Sequence, residues 1–112
     1  MRRLPVELRI FRAANGRQPF ADWFRSLVDR SVQARVARRL DRLQAGNPGD
    51  FRSLGAGLLE LRLDTGPGYR VYFSQVSPGL YLVLSGGSKG TQVADIERAR
   101  KWLEESRKRA SR

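Results

Sequence analysis

Along this chain, stretches in which apolar and polar residues alternate are interleaved with stretches in which apolar residues return every three or four positions. After Pro5, Val6, Leu8 and Ile10 alternate with Glu7 and Arg9, the period of a half-buried strand. Asn15-Gly16-Arg17-Gln18-Pro19 is a turn, with Pro19 placed to open a helix. Phe20, Trp23, Phe24, Leu27 and Val28 then repeat at helical spacing and predict a short helix with an aromatic core face. Asp29 or Ser31 can cap a second helix, with Val32, Val36, Leu40 and Leu43 as its buried stripe and Arg35, Arg38, Arg39 and Arg42 on the remaining surface. Gly46-Asn47-Pro48-Gly49 ends it, so the two helices should form a hairpin lying across a sheet.

The second half changes period. Leu59, Leu61 and Leu63 alternate with Glu60, Arg62 and Asp64; after Thr65-Gly66-Pro67-Gly68, Tyr69, Val71 and Phe73 alternate with Arg70, Tyr72 and Ser74. Ser77-Pro78-Gly79 turns the chain again, and Leu80 to Leu84 is apolar on both faces, as a central strand should be. Gly86-Gly87-Ser88-Lys89-Gly90 reads as a flexible loop. Thr91 then caps a final helix with Val93, Ile96 and Leu103 facing inward, and residues from about 105 to 112 read as a flexible basic tail. The predicted order is β-α-α-β-β-β-α: a single α+β domain over residues 1–112, its antiparallel sheet packed by helices on one face.

Charge narrows the choice of partners. Of 112 residues, 22 are Lys or Arg and 11 are Asp or Glu, a formal net charge of +11. Most of the excess is Arg, whose planar donor fork suits phosphate, so a polyanion or an acidic protein is the expected partner. There is no Cys and no His, which excludes a disulfide framework, a thiolate zinc site, a Ser-His-Asp triad and a Cys-His pair. No metal or cofactor is expected. No apolar run reaches membrane-spanning length, and the first residues lack the apolar stretch of a signal peptide, so the expected location is the cytoplasm.

Strand phase then sorts side chains to faces. With the leucines, Val71 and Phe73 inward, Glu60, Arg62 and Asp64 share the other face with Arg70, Tyr72 and Ser74, provided the hairpin connection is odd in length. Two registers qualify, one setting Arg62 opposite Arg70 and the other setting Arg62 opposite Tyr72 and Asp64 opposite Arg70. Because opposed like charges repel, the second is expected. Either way, two arginines and a tyrosine should stand on an exposed sheet face, with Lys89 on a loop folding over it.

These residues carry a family resemblance. Leu59-Glu60-Leu61-Arg62-Leu63-Asp64, Gly66-Pro67-Gly68-Tyr69-Arg70-Val71-Tyr72-Phe73, Gly86-Gly87-Ser88-Lys89 and Asp95-Ile96-Glu97-Arg98-Ala99, with Phe20-Ala21-Asp22-Trp23 before them, resemble the HigB-like, phage Gp49-like "addiction module killer" branch of the RelE/ParE toxin superfamily. The resemblance implies a toxin held by an antitoxin, commonly a helix-turn-helix DNA-binding protein. RelE-like members cut messenger RNA on the ribosome, whereas ParE-like relatives inhibit DNA gyrase on the same fold; a basic ribosome- or RNA-binding protein is the third reading. The motif arginine associated with the scissile phosphate corresponds to Arg70, the basic residue of the preceding strand to Arg62, and the loop cation to Lys89. Glu60 replaces a further basic residue, and the aromatic or imidazole group of some relatives has no counterpart near the last helix, where Asp95 stands.

A metal-independent cut needs only attack of the 2′-hydroxyl on the adjacent phosphate, with cations meeting the charge that develops on phosphorus. Arg62, Arg70 and Lys89 suit that role; Tyr72, Glu60 and Asp95 are the candidates for proton transfer. An antitoxin acidic at its docking surface is expected to cover the same cations.

Overall fold

The computed structural model describes residues 4–111. Its elements are β1 (Glu7–Ile10), α1 (Pro19–Ser26), α2 (Arg30–Gln44), β2 (Phe51–Ser53), β3 (Leu59–Leu63), β4 (Tyr69–Ser77), β5 (Leu80–Ser88), a 3₁₀ turn over Lys89–Thr91 and α3 (Gln92–Ala110). Pro19 occupies the start of α1, and Asp29 caps α2 by accepting from the Ser31 amide. The carbonyls of Phe24 and Leu27, at and just past the end of α1, accept from the Gln33 side chain at 3.0 and 3.1 Å, which fixes the angle of the helical hairpin.

The five strands form one sheet in the order β1-β5-β4-β3-β2. This differs from the expected antiparallel meander in two ways. β1 lies parallel to β5 along its outer edge, Glu7 opposite Leu80 and Ile10 opposite Val83, so the sheet is mixed. The unanticipated β2 closes the other edge with Arg52 opposite Glu60; three residues are too few to show a period.

Both faces of the sheet are covered, a further departure from the expected one-sided packing. On one face Leu61, Leu63, Val71, Phe73 and Val83 pack against Phe20 of α1 and Val32, Val36 and Leu43 of α2. On the other, Leu58, Tyr72, Leu82 and Leu84 pack against Ala99 and Leu103 of α3. Each such side chain contributes about 1.5–3 kcal/mol by leaving water, which is enough to hold a helix on either side. The inner stripe of α3 runs through Asp95, Ala99 and Leu103, while Val93, expected inward, is exposed. Val28 is likewise exposed, beyond the end of α1. Through Ala110 the expected basic tail is helix: Arg107 donates to the Ala56 carbonyl at 2.9 Å, and Arg109 lies over the Phe11 ring, 5.3 Å from its centre. Arg112 lies outside the described residues.

Gly86 and Gly87, expected in a loop, belong to β5. A Cβ on Gly86 would stand 2.2 Å from the Trp23 ring, and one on Gly87 would stand 1.8 Å from the Asp95 carboxylate. The pair is there for close approach, with an α1 side chain crowding one residue and an α3 side chain the next.

Candidate phosphate-binding site

Alternation along β3 places Glu60 opposite the leucine face, and α3 covers that face, so the carboxylate is fully buried. A buried carboxylate is costly unless its oxygens are met by donors. Arg52 of β2 donates from Nε to Oε1 at 2.9 Å, and Gln92 of α3 donates from Nε2 to Oε2 at 2.8 Å. Arg70 Nε lies 4.0 Å from Oε1. One side chain thereby ties three elements to β3.

Arg70 is held at its stem, with only 12% of the side chain exposed. Its Nη1 donates to the Tyr69 carbonyl at 3.2 Å, and its Nε is buried without a hydrogen-bond partner among the described residues. Gly68, at φ +80°, lies beside it: a Cβ there would stand 3.5 Å from Arg70 Nη1 and 3.6 Å from Lys89 Cβ. The Lys89 amide donates to the Gly68 carbonyl at 2.8 Å. Arg70 and the exposed Lys89 are therefore gathered on the two sides of one glycine.

Arg62 is directly opposite Arg70, and Glu60 opposite Tyr72, which is the register that charge repulsion argued against. The two guanidinium groups satisfy it by diverging. Arg62 turns to Asp50 Oδ1 at 3.2 Å, while Arg70 turns toward Glu60. Asp64, the expected partner of Arg70, is exposed in the connection between β3 and β4. The expected open face is also corrected: Glu60, Tyr72 and Ser74 are sealed beneath α3, and only the Arg62, Arg70 and Lys89 end approaches solvent.

Tyr72 is fully buried, and its hydroxyl has no partner among the described residues. Burial first, then the charges of Glu60 and Asp95, raise its pKa well above the ordinary tyrosine value. The burial and the direction of this shift both work against a phenolate at this position. Asp95, in the first turn of α3, accepts from the Thr91 hydroxyl and from Arg98 Nη1 at 3.1 Å. Its charge suits the positive end of the helix. Thr91 stands at the cap position of α3, but its hydroxyl donates to Asp95 and accepts from the Ser88 amide at 3.2 Å, leaving the first amides of α3 without a side-chain cap.

The six sequence candidates thus divide. Arg70, Glu60 and Lys89 meet around Gly68 and β3; Tyr72 and Asp95 lie beneath them; Arg62 shares their end of the sheet but is paired away. Arg52 and Gln92 went unread. Gln92 was within reach of the helical period, being three residues before Asp95, but Arg52 carries no local signal.

The sequence model of the family described as "Phage derived protein Gp49-like (DUF891)" matches residues 22–111, a span that includes every candidate residue. The chain belongs to the Gp49-like family. That family is associated with the toxins of toxin–antitoxin pairs. An uncharacterized protein of Haemophilus influenzae (strain ATCC 51907 / DSM 11121 / KW20 / Rd) is 41% identical over 86 residues, covering 77% of this chain and 87% of that protein. No solved structure matches the fold. Among the described residues no helix is long and apolar enough to cross a membrane, and no group of three or more acidic side chains is placed to hold a metal ion.

Proposed function

We propose that the protein is the toxin of a toxin–antitoxin pair and acts as a HigB-like, RelE-type endoribonuclease on messenger RNA at the ribosome. The observation that carries this reading is the Arg70 guanidinium, held at its stem over the buried Glu60 carboxylate with Lys89 beside it. A donor kept dry and fixed is one that costs little to reorganise when charge develops on a phosphate. Arg70 is assigned to the scissile phosphate, with Lys89 and Arg62 as flanking cations. The 2′-hydroxyl oxygen bonds to phosphorus as the bond from phosphorus to the 5′-oxygen breaks, leaving a 2′,3′-cyclic phosphate and a 5′-hydroxyl. One proton leaves the nucleophile and one reaches the leaving oxygen. Glu60 is assigned to hold Arg70, not to move protons, since both its oxygens are engaged.

A second reading, a ParE-like inhibitor of DNA gyrase that performs no chemistry, is favoured by one observation. None of Tyr72, Glu60 and Asp95 offers a free base: the first is sealed, and the other two are occupied. Adding purified protein to translating ribosomes and mapping messenger 5′ ends tests the first reading, which expects new ends bearing 5′-hydroxyls that vanish with Arg70→Ala. Unchanged messenger together with loss of supercoiling in a gyrase assay would replace it with the second. The proposed partner in either case is an antitoxin that docks through an acidic surface.

A further inference from the structure

The opposite layer of the domain holds a second cationic site. Arg35, Arg38, Arg39 and Arg42 are spaced three, four and seven residues from the first, so they rise from one flank of α2 beside its buried stripe. That flank meets the connection between β3 and β4, and the two border an open cavity of about 220 Å³ lined by the four arginines with Leu63, Asp64 and Thr65.

Two of the arginines build the walls. Arg39 donates to the carbonyls of Arg62, Pro48 and Asp50, binding α2 to β3 and to the loop before β2. Arg35 donates to the Thr65 hydroxyl at 2.8 Å. Arg39 and Arg42 also converge: a Cβ on Gly49 would stand 3.1 Å from Nη2 of the first and 3.4 Å from Nη2 of the second. Burial, and then the charge of Arg42, hold Arg39 below the usual arginine range. Among the described residues none of the four is ion-paired with a carboxylate, and Asp64 is the one acid in the lining. Four like charges are thus held together with only Asp64 in the lining and Asp50 beside Arg39 to offset them, an arrangement that an anion would relieve.

We infer that this arginine cavity binds a phosphate group of an RNA backbone. Its volume is below that of a pocket for a drug-sized molecule, so it takes a single tetrahedral anion and leaves the attached sugars and bases outside. The planar donor forks of Arg38 and Arg42 match phosphate oxygens in pairs. A protein partner is less well served, because Leu63 is the one apolar residue in the lining and no aromatic side chain stands beside the arginines to complete an anchor. The exposed large apolar residues, Leu4, Val28, Phe51, Val76 and Val93, all lie outside this lining. The connection between β3 and β4 links the two cationic sites: Asp64 and Thr65 wall the cavity, and Gly68 carries Arg70 and Lys89. A strand crossing this connection meets both. The inference rests on the RNA reading above but needs binding only, not cleavage.

The test is fluorescence anisotropy of labelled oligouridine against salt concentration, using Arg38→Gln with Arg42→Gln and leaving the wall-building Arg39 in place. A second variant, Arg25→Gln with Lys108→Gln, removes the same charge from exposed helix positions. The cavity variant should melt like the parent, bind about tenfold more weakly, and lose roughly 0.7–1.4 from its logarithmic salt slope, as expected for one or two lost contacts to single-stranded RNA. The other variant should change the slope much less. Equal losses in both would overturn the site in favour of a general field. Parental RNA binding by the cavity variant, with binding of a poly-glutamate peptide lost, would make it an acidic-protein site instead. Loss of RNA binding by the cavity variant, with no messenger cleavage by the parent, would uphold the cavity and remove only the nuclease reading.

Discussion

Arg62 and Arg70 stand directly opposite each other on β3 and β4 and share no carboxylate: Arg62 pairs with Asp50, Arg70 approaches Glu60. The two are therefore open to separate mutation. Arg62→Ala deletes a surface pair worth about 1 kcal/mol or less, so its melting curve should overlay that of the parent. Arg70→Ala should also fold, because Glu60 keeps Arg52 and Gln92, but ribosome-dependent cleavage should fall about 10²–10³-fold, the usual cost of removing one preorganised donor. Cleavage by Arg70→Ala at the parental rate would sink the site assignment.

Glu60 is the stability-critical member of the site. Glu60→Ala leaves Arg52 and Gln92 without their acceptor and Arg70 without its facing charge, and should cost about 2–4 kcal/mol, read from urea unfolding. Glu60→Gln, which keeps the shape and one acceptor, should cost less. An Ala variant as stable as the parent would mean that Arg52 and Gln92 find other acceptors and that Arg70 does not need the charge.

Tyr72→Phe removes a buried hydroxyl that has no partner, so stability should hold or rise by about 1 kcal/mol at neutral pH. The alkaline limb carries a sign. Tyr72 has a higher pKa folded than unfolded, so its contribution is fully present below about pH 10 and is lost as pH rises above that value, where the unfolded chain releases the proton first. The Phe variant should lose stability less steeply above about pH 10. If the two alkaline unfolding curves superpose, the Tyr72 hydroxyl is not buried as described.

Gly86→Ala should destabilise by about 1–3 kcal/mol, since the added methyl meets the Trp23 ring. Combining it with Trp23→Leu should cost less than the two changes summed, and a double-mutant cycle measures the difference. Strict additivity would show that the ring and the strand do not press on each other.

Much of this architecture is written in local periods. Val32, Val36 and Leu43, and the alternating Leu59, Leu61 and Leu63, identify their elements because burial on one face forces spacing on the chain. What escaped depends on partners distant in sequence. Gly86-Gly87 has the composition of a loop, and its place in a strand is explained only by Trp23 and Asp95. The β3–β4 register was misjudged by weighing Arg62 against Arg70 alone, without Asp50 to draw one of them aside. Arg70 and Lys89 were legible as cations, but the scaffold behind them, Glu60 with Arg52 and Gln92, required β2 and the placement of α3 on the second face.

The parallel pairing of β1 with β5 sets an order on biosynthesis. Glu7 finds its register partner at Leu80, about seventy residues later in synthesis, and β5 is also the strand against which α1 and α3 both press. A nascent chain halted before Leu80 carries α1 and α2 but has neither the central strand on which to assemble them nor α3. The basic surface and the completed sheet therefore mature together, since the long loop between β1 and β5 closes only once the last strand has been made.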